Sequence, residues 1–429
     1  MLTTEKPYEK PHLGLPGLIA VSGMLLLGWE AFYSVKLAVA DRIAKTSTEE
    51  GFKRASHLLP GNSFYHFALS EYDPDPNADA EGLRELERAL TLNPRETLAW
   101  IALGLRAESA GDYVKAEKSF QMAARIDRQF GPRWILVNYY FRRQEREKFW
   151  RWAYASAEMT DSDLTPLFEL CWRVTDDATT VLTRAIPDNP NIQRQYLGFL
   201  LRENRLRAAE PVAERLLASP SREDTENLLT YTDRLLADWA TSARNLPTAL
   251  KIWNSLANHS LIPYQALRPQ QAVSMTNRDF VFSPTSRGFD WRLRELPGVY
   301  TLWDKSHSQL VVTFSGKEPE NCEILYQFLP LLPAHSYRIN FSYRTRNVAG
   351  KSGLVCRIPG ASSGGPSDPD SVQLSSVEWK QEVISFSTSP TTALVRLVLG
   401  YQRPLGVVRI GLIDEGSISL RHFSLEQVQ

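Results

Sequence analysis

The spacing of small and aromatic residues in the first half of the chain constrains its fold more than any other feature. Ala89, Ala123 and Ala157 recur every 34 residues, and Trp100 and Trp134 keep the same interval. A fixed period of this length marks an array of helical hairpins, since each unit can bury its apolar face only against its neighbours.

The middle copy carries the fullest pattern. Trp100, Leu103, Gly104, Gly111, Tyr113, Ala116, Phe120 and Ala123 together resemble the tetratricopeptide repeat (TPR) at nearly every signature position. Gly104, Ala116 and Ala123 are small enough to let two antiparallel helices approach, and Trp100, Leu103 and Phe120 are expected to fill the space between them. Upstream, Leu86, Ala89, Leu90 and Pro94 repeat the second-helix ending, Leu69 stands where Leu103 would, and the acidic, proline-rich stretch 72–77 predicts an extended turn. Downstream, Trp134, Val137, Tyr154 and Ala157 hold phase, but Trp150 replaces the small residue equivalent to Ala116. The phase then slips, and the next fit sets Asn204, Ala209, Ala213 and Leu216 on the positions of Gly111, Ala116, Phe120 and Ala123. A last apolar stretch, 249–256 with Trp253 on its face, is expected to close the array against solvent. The helical repeat domain predicted in this way covers residues 41–265.

In the tetratricopeptide family the first helix of each hairpin lines a concave groove. The resemblance therefore implies a partner-binding groove at Leu98, Ile101, Leu105, Ile135, Tyr139, Arg142 and Arg143, suited to apolar or acidic peptide segments. The lysine and asparagine clamp that some relatives use for C-terminal carboxylates is absent from these positions.

Ahead of the array, residues 13–29 carry no charge and are rich in leucine. These positions reach about 25 Å as a helix, slightly under a hydrocarbon core of about 30 Å. Extension through residue 33 places Trp29, Phe32 and Tyr33 at the headgroup boundary, which predicts a transmembrane helix over 13–35 behind a tail of residues 1–12. A cleaved signal peptide and a buried globular helix are the alternatives. Ala38-Val39-Ala40 has cleavage-site chemistry but lies far beyond the apolar run, with Glu30 and Lys36 between. Lys6 and Lys10 before the span against Lys36, Arg42 and Lys45 after it weakly favour a cytoplasmic body. The domain content argues the other way, for a single-pass protein whose body is extracytoplasmic.

After about residue 272 helical periodicity gives way to short alternating runs: 309–314, 336–343, 354–358, 379–386, 393–399, 407–413 and 417–423. Turn-forming residues separate them, as in an all-β antiparallel sandwich over 272–429. The order Gly288-Phe289-Asp290-Trp291, then Tyr326 to Pro330, the 337–343 run, Trp379, Phe386 and finally Gly416 to Leu420 resembles a carbohydrate-binding-module jelly roll. The closing strand reads Ser419-Leu420-Arg421-His422, without the Asp-rich signature of that family, and this departure argues against its structural calcium. A sugar site needs aromatic faces flanked by guanidinium, amide or carboxylate groups. Trp303, Tyr343, Arg344, Arg346 and Tyr401 are the glycan-binding candidates. The loop 359–371 is rich in glycine, serine and proline, and its Asp368 and Asp370 fall short of the oxygens that calcium takes.

Composition excludes several classes. The 429 residues leave room for two folded units and an appendage, and 49 basic against 49 acidic groups remove any bulk electrostatic case for nucleic acid. The seven histidines are scattered, and no Cys-x-x-Cys pair, phosphate loop or Gly-x-Ser-x-Gly elbow occurs. Neither a metal nor another cofactor is expected. Glu318, Glu320 and Glu323 lie close in sequence, and a solvated strand-end loop accounts for them better than a glycosidase pair. Cys322 and Cys356 are read as buried thiols, with a bridge between them as the alternative in an oxidising compartment.

The resulting expectation is a non-enzymatic, membrane-tethered assembly protein that docks a protein partner through its repeats and touches polysaccharide through its sandwich, in envelope polysaccharide synthesis or export. A carbohydrate-active enzyme with an unrecognised carboxylate pair, and a pure protein scaffold whose sandwich binds no sugar, stay open.

Overall fold

The computed structural model describes residues 15–72, 80–159, 163–237, 244–361 and 371–428. The chain divides into two compact units, Met1–Ser162 and Asp163–Gln429.

The first unit is helical. Helix α1 (Leu15–Ala44) is followed by α2 (Glu49–Leu58), α3 (Ser63–Glu71), α4 (Ala80–Leu92), α5 (Thr97–Ser109), α6 (Tyr113–Ile126), α7 (Phe130–Arg142) and α8 (Arg146–Ala157). The pairs α3/α4, α5/α6 and α7/α8 are the three hairpins of the strict register, with Ala89, Ala123 and Ala157 fully buried in their second helices. Gly104 is a packing glycine: a Cβ there would drive into the ring of Phe120, which is itself fully buried. The turn between α5 and α6 passes through Gly111 at φ 79°, and Asp112 caps α6 by accepting from the Lys115 amide at 3.0 Å. Gln144 at φ 58° makes the same left-handed turn before α8. Trp100 departs from expectation: it is half-buried at the edge of the hairpin and donates from its indole nitrogen to the Pro94 carbonyl at 2.9 Å. Trp150 is accommodated inside, edge-on to Phe149. The loop expected at 72–77 lies, beyond Tyr72, outside the described residues.

Helix α1 is longer than the span read from sequence, running on to Ala44. Its 30 residues reach about 45 Å. Side chains from Ile19 to Val35 stand exposed, among them Leu25 at 70% and Leu27 at 72%. By length and composition, residues Ile19–Ala44 form a helix able to cross a membrane. Its last turns belong to the folded array, because Ala40 and Ala44 pack with Phe52, Ala55 and Tyr65, and the Tyr65 hydroxyl donates to Asp41 at 2.5 Å.

Among the described residues, the second unit begins with the further helices α9 (Thr165–Val174), α10 (Ala178–Arg184), α11 (Pro190–Arg202), α12 (Leu206–Leu217), α13 (Thr225–Ala237) and α14 (Leu246–Asn258). Asn204 makes the α11/α12 turn at φ 54°, in the conformation Gly111 adopts, and Ala209, Ala213 and Leu216 are buried behind it.

Ten strands follow among the described residues: β1 (Arg292–Leu293), β2 (Val299–Asp304), β3 (Gln309–Phe314), β4 (Asn321–Pro330), β5 (Ser336–Arg346), β6 (Leu354–Arg357), β7 (Ser371–Gln373), β8 (Lys380–Ser387), β9 (Leu394–Gln402) and β10 (Gly416–Val428). They form two five-stranded antiparallel sheets in the orders β1-β4-β9-β6-β7 and β2-β3-β10-β5-β8. Most connections cross between the sheets, as in a jelly roll. The inward faces meet in one core that includes Leu310, Phe314, Phe341, Leu397 and Leu420.

The run 407–413 is a loop, not a strand. Gly406 and Gly411 take φ of 77° and 80°, and a Cβ on Gly411 would meet the Phe314 carbonyl. Ile410 alone of its large apolar residues is buried, while Leu405, Val408, Leu412 and Ile413 are exposed.

Trp253, on the apolar face of the stretch expected to close the array, is covered by the leader of the sandwich. It is 1% exposed, stacked on Tyr264 at 5.5 Å and edge-on to Phe289. The Gly-Phe-Asp element thus docks the sandwich onto α13 and α14. Asp233 accepts from the Arg287 guanidinium at 2.5 Å, from Arg292 at 2.5 Å and from the Gly288 amide at 2.7 Å. Asp290 is fully buried and holds the same leader, accepting from the Tyr264 hydroxyl at 2.7 Å and the Thr285 amide at 2.6 Å. Burial raises its carboxyl above the ordinary value, against the pull of those donors.

Candidate functional site

The helical groove candidates separate into three groups. Leu98 and Leu105 stand out from α5 at 57% and 47% exposure, with Ile101 half-buried between them, so positions i, i+3 and i+7 form one apolar strip. Ile135 on α7 is likewise half-buried. Tyr139 is not a groove residue: at 1% exposure it packs on Phe120 and donates to the Tyr113 carbonyl at 2.9 Å. Arg142 and Arg143 reach the surface but are engaged by their own chain. Arg142 forks onto Glu108 at 2.9 and 2.8 Å, and Arg143 lies 3.8 Å over the Tyr113 ring. Arg142 therefore carries no spare charge for an acidic segment.

On the sandwich, the alternation that places a residue inside or outside overturns three of the glycan candidates. Tyr343 and Tyr401 are each 1% exposed and belong to the core. Trp303 leans inward on that core and donates to the Phe280 carbonyl at 2.7 Å. Arg344 and Arg346 point outward from β5 and are exposed.

Those two arginines share a cleft of about 440 Å³ with Gln309, Val311, Thr345, Val377, Ser417 and Ser419. Its floor follows from register: Ser419 stands opposite both Val311 and Arg344, and Ser417 opposite Arg346. Trp379, just before β8, lies beneath two cations, with Arg421 at 3.8 Å and Arg344 at 5.0 Å from its ring. Sequence reasoning passed over Trp379, Arg421 and the two serines as site residues, though the period-2 step from Arg344 across to β10 would have found Arg421 and the serines.

The three glutamates do not form a pair. Glu318 is fully buried, which corrects the expectation of a solvated loop. Glu320 accepts from Arg403 at 2.6 Å and Arg409 at 3.3 Å, and these hydrogen bonds hold its carboxyl below the usual range. Glu323 takes the Arg396 fork at 3.0 and 3.1 Å. All three cysteines are free. Cys322 and Cys356 sit on β4 and β6 with β9 between them, roughly 10 Å apart, beyond the span of a disulfide. Burial pushes the Cys356 thiol up to about 12. Among the described residues no group of three or more metal-ligating side chains occurs. Asp368 and Asp370 lie outside those residues.

No protein-family model matches the sequence, and no curated relative does. Similar solved structures are of two kinds. A structure described as "CBM4 structure and function" covers 36% of this chain and 100% of its own, at 12% identity and a TM-score of 0.25. The crystal structure of YrrB, a TPR protein with an unusual peptide-binding site, covers 50% of this chain and 96% of its own, at 12% identity and a TM-score of 0.23. Yeast Tom70 covers 53% of this chain and 48% of its own, at 14% identity and a TM-score of 0.27. Similarity at this level adds nothing to the hairpins and sheets already described.

Proposed function

We propose that this chain is a membrane-anchored, non-enzymatic assembly protein, whose helical hairpins dock a protein partner and whose sandwich binds glycan on the extracytoplasmic side, in envelope polysaccharide synthesis or export. The apolar strip of Leu98, Ile101 and Leu105 carries the partner half of the reading. It is an outward row of large side chains on the first helix of the middle hairpin, where a partner segment would bury it. Anchorage is supported by the last turns of α1, since cleavage after Ala40 would remove Ala40 itself, which is fully buried with Phe52, Ala55 and Tyr65, and would cut the helix just ahead of the Asp41–Tyr65 bond.

The partner reading is tested by replacing Leu98 and Leu105 with aspartate in the full chain. Both side chains are exposed, so melting should be unchanged while co-purification of the envelope partner is lost. Unchanged recovery would count against the strip. A reporter fused at the C-terminus, active only outside the cytoplasm, tests the orientation. The glycan half rests on the outward arginines of β5 and the serines opposite them.

A further inference from the structure

We infer that the glycan taken by the outer sheet face is an acidic polysaccharide, bound through Arg344 and Arg346 by the carboxylate or sulfate groups on its sugars. This rests on the glycan reading of the sandwich and narrows it to a substrate class.

The first observation is the balance of charge on the two sheets. Around the β4 and β9 side, arginines are matched by carboxylates of their own chain: Arg396 and Arg357 by Glu323, Arg403 and Arg409 by Glu320. On the outer face of the other sheet, Arg344, Arg346 and Arg421 form no ion pair among the described residues. Arg338, lower on β5, stands opposite Glu426, outside the cleft. Asp304, which borders the cleft through Gln309, is engaged by Ser306, His307 and Gln309. The cleft therefore presents guanidinium groups to an outside anion.

The second observation is what the cleft lacks. A neutral sugar is gripped chiefly through an aromatic face laid on the apolar side of its ring. Trp379 is overlaid by Arg421 and Arg344, Tyr343, Tyr401 and Trp303 turn into the core, and Tyr300, exposed on β2 of the same face, stands outside the cleft lining. The lining is instead two arginines, Ser417, Ser419, Thr345 and the Gln309 amide, with Val311 and Val377 as its apolar part. Forked guanidinium groups beside hydroxyls suit a carboxylate or sulfate, which accepts two parallel N–H bonds. Arg344 and Arg346 are two residues apart on one strand, about 7 Å, so they can meet charges along a chain and not one ion alone. Trp379 holds the Arg344 side chain against its ring, which limits the freedom lost on binding.

The experiment uses the full chain in detergent, with polygalacturonate, dextran sulfate, neutral dextran and poly-glutamate as probes in affinity electrophoresis. The inference expects retardation by polygalacturonate or dextran sulfate, and roughly tenfold weaker binding in Arg344→Gln/Arg346→Gln. Ser417→Glu, which adds a like charge to the cleft and spares both arginines, should weaken binding similarly. Neutral dextran binding as well as the acidic polymers, with the double variant unaffected, overturns the inference and leaves the glycan reading standing. Binding to none of the polysaccharides overturns both. Poly-glutamate bound as tightly as the acidic polysaccharides, and lost in the double variant, would assign the face to an acidic peptide and likewise overturn it.

Discussion

At the scale of the residue, Asp233 ties the leader of the sandwich to α13. It accepts from two guanidinium groups and one backbone amide, and its partners Arg287 and Arg292 are 28% and 15% exposed. Removing one partner of a fully buried pair costs about 3–5 kcal/mol, and partial exposure discounts this. Asp233→Ala should therefore lower unfolding free energy by about 2 kcal/mol, as read by urea titration. Glu320 gives a pH prediction. Its carboxyl is lowered by Arg409 and Arg403, so the stability it adds to the 403–415 loop is present above the ordinary carboxylate value and is lost as pH falls through the depressed one. Protection factors in that loop, taken relative to the intrinsic exchange rate at each pH, should fall on acidification, and Glu320→Gln should abolish the dependence. Single residues were also where sequence reading failed most. Tyr343 and Tyr401 have the right chemistry for a sugar platform, but alternation along a strand shows that two faces exist without showing which one a partner sheet will cover.

At the scale of the element, the 34-residue period was legible because it is made of residues whose size is itself the constraint. Gly104 shows this, since Phe120 occupies the space its side chain would need. Gly104→Ala gains about 1 kcal/mol of helix propensity and incurs about 1–3 kcal/mol of overpacking. A net loss of about 1 kcal/mol is expected, measured as a lower melting temperature. Asn204 was readable for the same reason, standing for Gly111 in the left-handed turn. The run 407–413 was misread because its apolar pattern suits a strand, while two glycines at positive φ and the closeness of Phe314 make it a loop. Of the groove candidates, helical register located the outward strip of Leu98 and Leu105, but not the in-chain partners of Arg142 and Arg143.

At the scale of the whole molecule, the change from helical to alternating periodicity near residue 272 falls between the last helix, ending at Asn258, and the first strand, beginning at Arg292, and it does not reveal what crosses that stretch. Trp253 and Asp233 lie in sequence on the helical side, yet both are built into the sandwich's leader through Phe289, Gly288 and Arg287. Long-range contacts of this kind leave no periodic trace. Residues 272–429 alone should consequently melt lower than residues 225–429, which keep α13 and α14. Equal melting of the two fragments would show that the junction adds no stability.

The central claim, that the chain recognises polysaccharide without cutting it, is tested most directly by incubating the full protein with acidic polysaccharide and measuring both binding and polymer length. The account predicts a retarded complex, polymer of unchanged length and no new reducing ends. Shortened chains, or no complex with any polysaccharide, would contradict it.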